Sequence, residues 1–215
     1  MDCCENRVSC ASGCDCDCAD NRNGNLCFSI IGEEISDFEG QVFHEESFKD
    51  VRLSDYRGKW LILFFYPADF SFVCPTELED LAENYTAFQE LGAEILSVST
   101  DTVYVHKAWH DQSAAVRKVT YPMFADPTGE LSRIFGTYID DEGISLRGTF
   151  IVDPDGVLQS VEMSSNAIGR NSAELLRKIR AAQFVREHSG EVCPAKWMKS
   201  GDPTLTPGVD LVGKI

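Results

Sequence analysis

The sequence has few basic residues and no long apolar run. Its 19 Lys and Arg stand against 35 Asp and Glu, which gives a formal net charge of -16. A surface of that sign repels nucleic-acid phosphates and anionic membranes unless a local basic patch overrides it, and no run of Lys or Arg supplies one. The longest apolar stretch, WLILFFYPA, is about half of what a bilayer-spanning helix needs. We therefore expect no nucleic-acid and no membrane partner.

Cysteine is almost absent from the globular part of the chain. Of 9 cysteines, seven lie in the first 27 residues, and only Cys74 and Cys193 lie beyond them. Two isolated thiols cannot staple a domain of this size, so the disulfide framework of small secreted proteins is excluded. The N-terminus also lacks the apolar segment of a signal peptide, and we expect a cytoplasmic location.

The chain divides into a tail, one domain and an arm. Residues 1–27 have almost no large apolar side chain and cannot bury enough surface to offset the entropy of ordering, so we expect a tail outside the fold. Residues 28–188 carry the strand and helix signals of one domain. Residues 189–215 have Pro and Gly without a sustained period, which predicts an arm whose apolar residues need another surface to cover them.

Three continuous apolar segments predict the centre of a sheet that is covered on both faces. They are residues 59–67, 93–100 and 148–153. The last of them is followed by DPDG, residues 153–156, which predicts a hairpin turn to an antiparallel strand. With the helices described next, the pattern predicts an α/β fold in which helices flank a mixed central β-sheet.

Two helices are predicted from apolar spacing. Residues 78–91 have apolar positions at helical spacing, Pro75 suits the first turn, and Gly92 is positioned as a stop. A strand, this helix and the next strand indicate a right-handed parallel crossover. Residues 172–188 predict a long amphipathic helix with Ser172 as its N-cap.

Cys74 stands where the first apolar strand gives way to the first helix. A lone thiol in a folded domain is most often a small packing residue. At a helix start, however, a thiol lies near the positive end of the helix dipole and near unpaired backbone amides, which favour thiolate over thiol. Position alone leaves both interpretations open.

The residues around Cys74 resemble a known signature. PADFSFVC, residues 67–74, is similar to the peroxiredoxin pattern of a proline, three residues, a threonine or serine, two residues and the peroxidatic cysteine. Further matching motifs are VCPTEL, VSTDT, HKAWH, DEGISLRGTFIVDPDG, ELLRKIRAAQ, GEVCPAKW and DLVGKI. Together they cover roughly residues 28–215 and resemble the typical two-cysteine peroxiredoxins of the bacterial alkyl hydroperoxide reductase C type. The resemblance implies a thioredoxin-like fold with a C-terminal arm.

By this resemblance, Cys74 would be the peroxidatic cysteine of a thiol peroxidase that reduces hydrogen peroxide and organic hydroperoxides without a cofactor. Pro67 would shield the thiolate from water, and Ser71 would hydrogen-bond the thiolate and a peroxide oxygen. The family more often has threonine at the position of Ser71, so the methyl group that stiffens the rotamer is lost.

The resemblance also assigns a role to two arginines and a glutamate. Arg147 would bind the peroxide and favour the thiolate, and Glu77 and Arg170 would orient Arg147. The alternative is that both arginines lie on the surface, which is the commoner place for arginine.

A sulfenic acid on Cys74 must condense with a second thiol before more peroxide oxidises it irreversibly. By resemblance, Cys193 of one subunit would join Cys74 of its partner in an antiparallel homodimer, and the dimers would assemble to a decamer. The alternative for Cys193 is an incidental exposed thiol.

The chain has no second dithiol motif in the fold and no glycine-rich dinucleotide fingerprint, so reduction of the disulfide needs an outside partner. We expect a flavoprotein reductase that uses NADH, or a thioredoxin-like protein.

Two rival functions share parts of this pattern. A peroxide-responsive holdase chaperone ring could use the same assembly, but it has no need of Pro67, Ser71, Cys74 and Arg147 together. A general disulfide oxidoreductase would carry Cys-x-x-Cys at the helix start, where this chain reads VCPTEL.

Two groups of residues have side chains that could bind a metal. His106 and His110 stand four apart, but no third ligand is in view, which favours a structural pair on one helix. In the tail, Cys14, Cys16 and Cys18 are candidates for a metal site, within a set that also includes Cys3, Cys4, Cys10 and Cys27. The tail has no Cys-x-x-Cys spacing, so a redox-reactive tail without metal is an equally economical interpretation.

Overall fold

A computed structural model describes residues 29–214. The predicted tail, with its candidate ligands Cys14, Cys16 and Cys18, lies outside the described residues. In chain order the elements are β1 (Glu39–His44), β2 (Ser47–Arg52), β3 (Trp60–Phe65), α1 (Cys74–Glu83), α2 (Tyr85–Glu90), β4 (Ala93–Ser99), α3 (Val103–Gln112), β5 (Met123–Ala125), α4 (Glu130–Ile134), β6 (Tyr138–Ile139), β7 (Ile144–Ser145), β8 (Arg147–Val152), β9 (Leu158–Ser164) and α5 (Ser172–Glu187). Short 3-10 helices lie at Leu53–Tyr56, Val116–Lys118 and Val209–Leu211.

Seven strands form one mixed sheet in the order β2-β1-β5-β4-β3-β8-β9. The pairs β3 with β4 and β4 with β5 are parallel, and the other neighbours are antiparallel. Strands β6 and β7 form a separate hairpin. The predicted mixed sheet, its three central apolar strands and the hairpin after β8 are therefore confirmed. Among residues 29–214, none of the helices has the length and apolar character that crossing a bilayer takes.

Strand β3 explains why the longest apolar run of the sequence is continuous. Its side chains alternate between two hydrophobic clusters on opposite faces of the sheet, and all six are buried. Trp60, Ile62 and Phe64 join residues of α1, α2 and α5, while Leu61, Leu63 and Phe65 join the cluster that includes Leu131 of α4. Each fully buried aliphatic or aromatic side chain stabilises the fold by about 1.5–3 kcal/mol.

The single helix predicted to run to Gly92 is in fact two helices, α1 and α2, that meet at Asn84. The backbone of Asn84 leaves the helical region, with φ -104° and ψ 3°. Its side-chain amide donates to the carbonyl of Asp80 at 2.9 Å and to the hydroxyl of Ser172 at 2.9 Å. The side chain thus competes with the helix backbone for the Asp80 carbonyl, which interrupts the helix. Gly92, with φ +64°, ends α2 as predicted.

The long helix α5 lies within the predicted residues, but its N-cap is not Ser172. Asn171 is the N-cap, and its side chain accepts a hydrogen bond from the backbone N–H of Ala173 at 2.9 Å. Ser172 is the first helical residue, and its backbone N–H donates to the carboxylate of Asp80 at 2.7 Å. The start of α5 is therefore tied to α1, which fixes the connection before it.

The described part of the arm packs partly on its own chain. Val192 and Leu205 form an isolated antiparallel bridge. The Trp197 side chain is 1% exposed, and its ring centroid is 5.3 Å from that of Phe184 in α5. Other apolar residues of the arm remain exposed, Val209 among them. The division into tail, domain and arm stays a prediction.

Replacing Trp197 by alanine should release the arm. The lost burial is about 3 kcal/mol or more, which corresponds to about a hundredfold larger population of the undocked arm. Tryptic cleavage after the exposed Lys199, followed by mass spectrometry, should become faster accordingly. The control Val209→Ala changes an exposed arm residue and should leave the rate unchanged. Equal cleavage rates in wild type and Trp197→Ala would show that this packing does not hold the arm.

Candidate active site

Cys74 is the first residue of α1 and lies at the end of the connection that leaves β3. Its side chain is fully buried. Pro75 follows in the first turn, and the N-cap residue Val73 has no polar side chain to cap the helix. The positive end of the helix dipole therefore faces the thiol without a competing side chain. The position predicted for Cys74 is confirmed.

Arg147, the first residue of β8, reaches the thiol from the neighbouring strand. Its Nη1 is 3.3 Å from the Sγ of Cys74 and donates to Glu77 Oε2 at 2.5 Å. The other guanidinium nitrogens, Nε and Nη2, donate to the backbone carbonyl of Asn166 at 3.1 and 2.9 Å. The Arg147 side chain is 3% exposed. The alternative of a surface arginine is therefore wrong.

Glu77, one turn after Cys74, is the acceptor shared by both arginines. Its Oε1 accepts from the backbone N–H and Nε of Arg170 at 2.8 and 3.0 Å. Its Oε2 accepts from Arg147 Nη1 and, at 3.3 Å, from Arg170 Nη2. Arg170 Nη1 also donates to the carbonyl of Gly148 and the hydroxyl of Thr149. Charge-assisted bonds of this kind are about twice as strong as neutral ones and fix the orientation of both guanidinium groups.

The charges of this cluster do not balance without Cys74. Two guanidinium groups and one carboxylate, all nearly excluded from water, leave one positive charge in excess. Burial lowers the pKa of Arg170, and the hydrogen bond and charge of Glu77 oppose that effect. Buried charges are costly unless an opposite charge lies nearby, and among the described residues the partner of Arg147 Nη1 besides Glu77 is the sulfur of Cys74. The arrangement therefore stabilises an anion at Sγ or at an atom bound to it.

Ser71 and Pro67 lie in the connection before α1. Pro67 is buried two residues after the end of β3, and Ser71 is half-buried. The Ser71 hydroxyl donates to the backbone carbonyl of Ala68 at 2.7 Å, so its proton is not directed at Cys74 in this structure. A serine lacks the γ-methyl that restricts the rotamers of threonine, and its hydroxyl is free to turn toward a nearby carbonyl.

Cys193 lies in the arm, against helix α5. Of the cysteines in the described part of the chain, Cys74 and Cys193 are both free thiols. The Sγ of Cys193 is 3.9 Å from the carbonyl oxygen of Ala181. Partial burial raises the pKa of the Cys193 thiol, with Arg177 opposing the effect. The structure therefore leaves the two thiols unbonded and in contact with different helices.

Two contributors to the site have no signal in the sequence. Asn166 acts through its backbone carbonyl, which any residue has. Phe64 of β3 lies under Arg170, with its ring centroid 3.4 Å from the guanidinium carbon, and in the sequence it is one more residue of an apolar strand. Both could be found only once the fold had placed them beside the arginines.

The two histidines of α3 do not face a common ligand. His106 is buried and contacts Asp69, whereas His110 Nε2 lies 3.2 Å from the carbonyl of Val119. This geometry agrees with a structural pair.

One surface group among the described residues, Glu46, His110 and Asp111, has the side-chain types of a metal site. The ammonium of Lys107 donates to Glu46 at 3.2 Å and to Asp111 at 2.9 Å. A cation of the protein is thus already bonded to both carboxylates, and exposed acidic groups are common without a metal.

The substitution Glu77→Gln should be strongly destabilising. It removes the only carboxylate between two buried guanidinium groups, and breaking such a buried pair costs about 3–5 kcal/mol. The control is Glu79→Gln on the same helix, where the carboxylate pairs with Lys118 at the surface and should contribute about 0–1 kcal/mol. Urea unfolding measures both. Equal midpoints for the two variants would contradict the account of the cluster.

Comparison with known proteins agrees with this geometry. The family model "AhpC/TSA family" matches residues 31–161, and "C-terminal domain of 1-Cys peroxiredoxin" matches residues 181–213. The alkyl hydroperoxide reductase C of Bacillus subtilis is 54% identical over 187 residues, which are 87% of this chain and 100% of that protein. The protein of the same name from Salmonella typhimurium is 52% identical with the same coverage.

Solved structures give the same result. The crystal structure of Enterococcus faecalis AhpC has a TM-score of 0.75 and 50% identity, and the match covers 78% of this chain and 100% of that one. A reduced 2-Cys peroxiredoxin from Plasmodium vivax has a TM-score of 0.79 and 34% identity, over 84% of this chain and 94% of that one. The fold is therefore thioredoxin-like, and the resemblance seen in the motifs is confirmed. Because one family model spans Cys74, Glu77 and Arg147 and full-length relatives share half of the sequence, the chain belongs to the AhpC/TSA family of peroxiredoxins.

Proposed function

We propose that this chain is a thiol peroxidase in which Cys74 reduces hydrogen peroxide and organic hydroperoxides. The observation that carries the proposal is the buried Sγ of Cys74 within 3.3 Å of the Arg147 guanidinium, at the unblocked start of a helix. Relatives that share half of the sequence are named alkyl hydroperoxide reductase C, which supports a peroxide substrate.

In the proposed reaction the Cys74 thiolate attacks one oxygen of the hydroperoxide. An S–O bond forms, the O–O bond breaks, and the electron pair leaves on the second oxygen, which takes a proton and departs as water or an alcohol. Sulfur is oxidised to a sulfenic acid and the peroxide is reduced by two electrons. Fixed hydrogen-bond donors along the line of the sulfur and the O–O bond stabilise the charge that develops on the leaving oxygen. Both electrons come from sulfur, so the step requires no metal or flavin in this chain.

Arg147 is suited to serve as the donor because its other bonds hold it in place. The bonds to Asn166 occupy Nε and Nη2, and Glu77 fixes Nη1 beside the sulfur. Arg170 does not contact the sulfur but bonds Glu77, which holds Arg147, so we assign Arg170 a positioning role. A guanidinium held on several sides needs little reorganisation when charge moves from sulfur to oxygen.

The sulfenic acid on Cys74 is then resolved by Cys193 of the partner subunit. The Cys193 sulfur attacks the sulfenic sulfur, a disulfide forms, and water leaves. Since Cys74 is fully buried and Cys193 lies in the arm, in contact with Ala181 of α5, the first turn of α1 must open for the sulfurs to meet. An antiparallel homodimer, assembling to a decamer, is the arrangement in which we propose that this occurs.

The intersubunit disulfide is returned to two thiols by an outside donor of two electrons and two protons. A flavoprotein reductase that uses NADH, or a thioredoxin-like dithiol protein, has this chemistry. A cytoplasmic location stays a prediction. The holdase chaperone is not favoured, because the buried charges around Cys74 are costly and contribute nothing to the binding of unfolded clients.

The resolving step can be tested with one equivalent of peroxide added to wild type, Cys74→Ser and Cys193→Ser. Wild type alone should form an intersubunit bridge between Cys74 and Cys193, because each variant lacks one of the two sulfurs. Non-reducing gel electrophoresis with peptide mass spectrometry identifies the bridge and separates it from bridges of the N-terminal cysteines. If Cys74 stays reduced in wild type, the proposed function is wrong. If it is oxidised but never joined to Cys193, only the resolving role is wrong.

The substitution Ser71→Thr should accelerate the reaction modestly. The added methyl group restricts the side-chain rotamer, an effect of roughly 0.5–1 kcal/mol that corresponds to about threefold in rate. Stopped-flow measurement of the second-order rate constant of Cys74 with hydrogen peroxide provides the test. Ser71→Ala is the matched comparison and should be slower than wild type. An unchanged rate in Ser71→Thr would show that rotamer freedom at this position does not limit the reaction.

A further inference from the structure

A second buried pair of ionisable groups lies beside the site, and the proposed chemistry does not use it. Asp69 belongs to the connection between β3 and α1, and His106 belongs to α3; both side chains are 0% exposed. His106 Nδ1 is 2.8 Å from Asp69 Oδ2, and His106 Nε2 is 3.1 Å from the carbonyl oxygen of Phe124 in β5. Burying such groups is costly, so their geometry needs a physical explanation.

The two contacts of His106 fix how many protons the pair holds. The Phe124 carbonyl can only accept a hydrogen bond, so Nε2 carries a hydrogen. A neutral imidazole has no second N–H, and its Nδ1 lone pair would then face a carboxylate oxygen in a buried place. The contact at 2.8 Å therefore contains a proton of its own, on Nδ1 as imidazolium or on Oδ2 as carboxylic acid. In either form the pair shares one proton and has no net charge.

The surroundings favour retention of this proton. The Tyr66 hydroxyl donates to Asp69 Oδ1 at 2.7 Å, and burial raises the pKa of Tyr66 well above its ordinary value, so that it remains a donor. The carboxylate of Asp101 accepts from the backbone N–H of Asp69 at 2.8 Å. Burial raises the pKa of Asp69, with His106 opposing this and the negative charge of Asp101 adding to it. A second carboxylate so close makes loss of the proton unfavourable.

These contacts tie the connection before Cys74 to three other elements. Through Asp69 it is bonded to the end of β3, to α3 and to the segment after β4. The next residue, Phe70, has φ +54°, a left-handed conformation that costs about 1–3 kcal/mol and persists only where its surroundings determine it. Its ring centroid is 6.0 Å from that of Trp109, one turn after His106 on α3. Ser71 follows and closes the turn through its bond to Ala68.

We propose that Asp69 and His106 are positioning residues for peroxide reduction: the hydrogen bonds that join them to each other and to their neighbours hold the turn of residues 68–71, and that turn places Ser71 and the start of α1 around Cys74. The proposal rests on the function proposed for Cys74. Neither Asp69 nor His106 touches the peroxide. Their effect on the rate is exerted through Ser71, which lies three residues before Cys74.

The test compares Asp69→Ala with Asp69→Asn. In the asparagine variant, the amide oxygen can accept from Tyr66 and the amide nitrogen can donate to Nδ1 of a neutral His106, whose Nε2 hydrogen still bonds to Phe124. All of these bonds are kept without a shared proton. Asp69→Ala should lower the second-order rate constant with hydrogen peroxide by about 10- to 100-fold. This is the effect expected if Ser71 and the start of α1 are displaced by about 1 Å. Asp69→Asn should recover most of that loss.

Alkylation of Cys74 by iodoacetamide separates positioning from a general loss of structure. This reaction needs the thiolate and access to it, but no donor to a peroxide oxygen. Asp69→Ala should therefore lower the peroxide rate far more than the alkylation rate, whereas an unfolded variant would be alkylated faster. His110→Ala removes another histidine of α3 that contacts a backbone carbonyl, and it should leave the peroxide rate unchanged.

Three outcomes would overturn the proposal. They are equal peroxide rates in wild type and Asp69→Ala, equal losses in the peroxide and alkylation reactions, and an Asp69→Asn variant as slow as Asp69→Ala. A peroxide reaction of wild type no faster than that of Cys74→Ser would instead overturn the proposed function, and this inference with it. The wild-type rate therefore distinguishes the two failures.

Discussion

The carboxylate of Glu77 is the contact on which the site depends. It joins α1, which carries Cys74, to Arg147 of β8 and to Arg170 before α5. A guanidinium buried beside a thiol would be unfavourable without a carboxylate to hold it, and two guanidinium groups with only one carboxylate retain a positive charge. The cluster is thus preorganised for an anion, and the sulfur is the atom placed to carry it.

The same face of α1 also holds the entry to α5. Glu77, Asp80 and Asn84 follow each other at helical spacing, and all three bond to residues 170–172. This polar stripe lies beside the apolar stripe that packs into the core. The break between α1 and α2 at Asn84 follows from it, because the Asn84 amide bonds to Ser172 and to a carbonyl of its own helix. A site built on α1 is therefore fixed by contacts along its whole length.

Much of the fold could be predicted from the sequence because its signals are local. The run of β3 is continuous since both faces of the strand are covered, and Pro75 and Gly92 mark helix ends by their own conformational limits. The break at Asn84 could not be predicted, since it depends on a hydroxyl 88 positions away. For the site, residue type alone predicts an exposed arginine, because arginine is usually found at the surface. Arg147 was predicted as a site residue only from the motif resemblance, and its burial depends on a contact with Glu77 that the fold creates.

In the proposed reaction, oxidation of Cys74 changes the balance of charge that holds α1 in place. The attacking thiolate of that reaction neutralises the excess positive charge of the cluster, whereas the sulfenic acid that it forms is neutral and leaves that charge uncompensated beside the helix start. The first turn of α1 contains both Cys74 and Glu77, so opening it to bring the sulfur out also separates Glu77 from the arginines. With a thiolate at Cys74 the charges of the cluster are balanced, so this separation would lose the full stabilisation of its ion pairs. After oxidation, opening the first turn of α1 costs less of this stabilisation, so the proposed chemical step favours the opening that the proposed attack by a partner thiol requires.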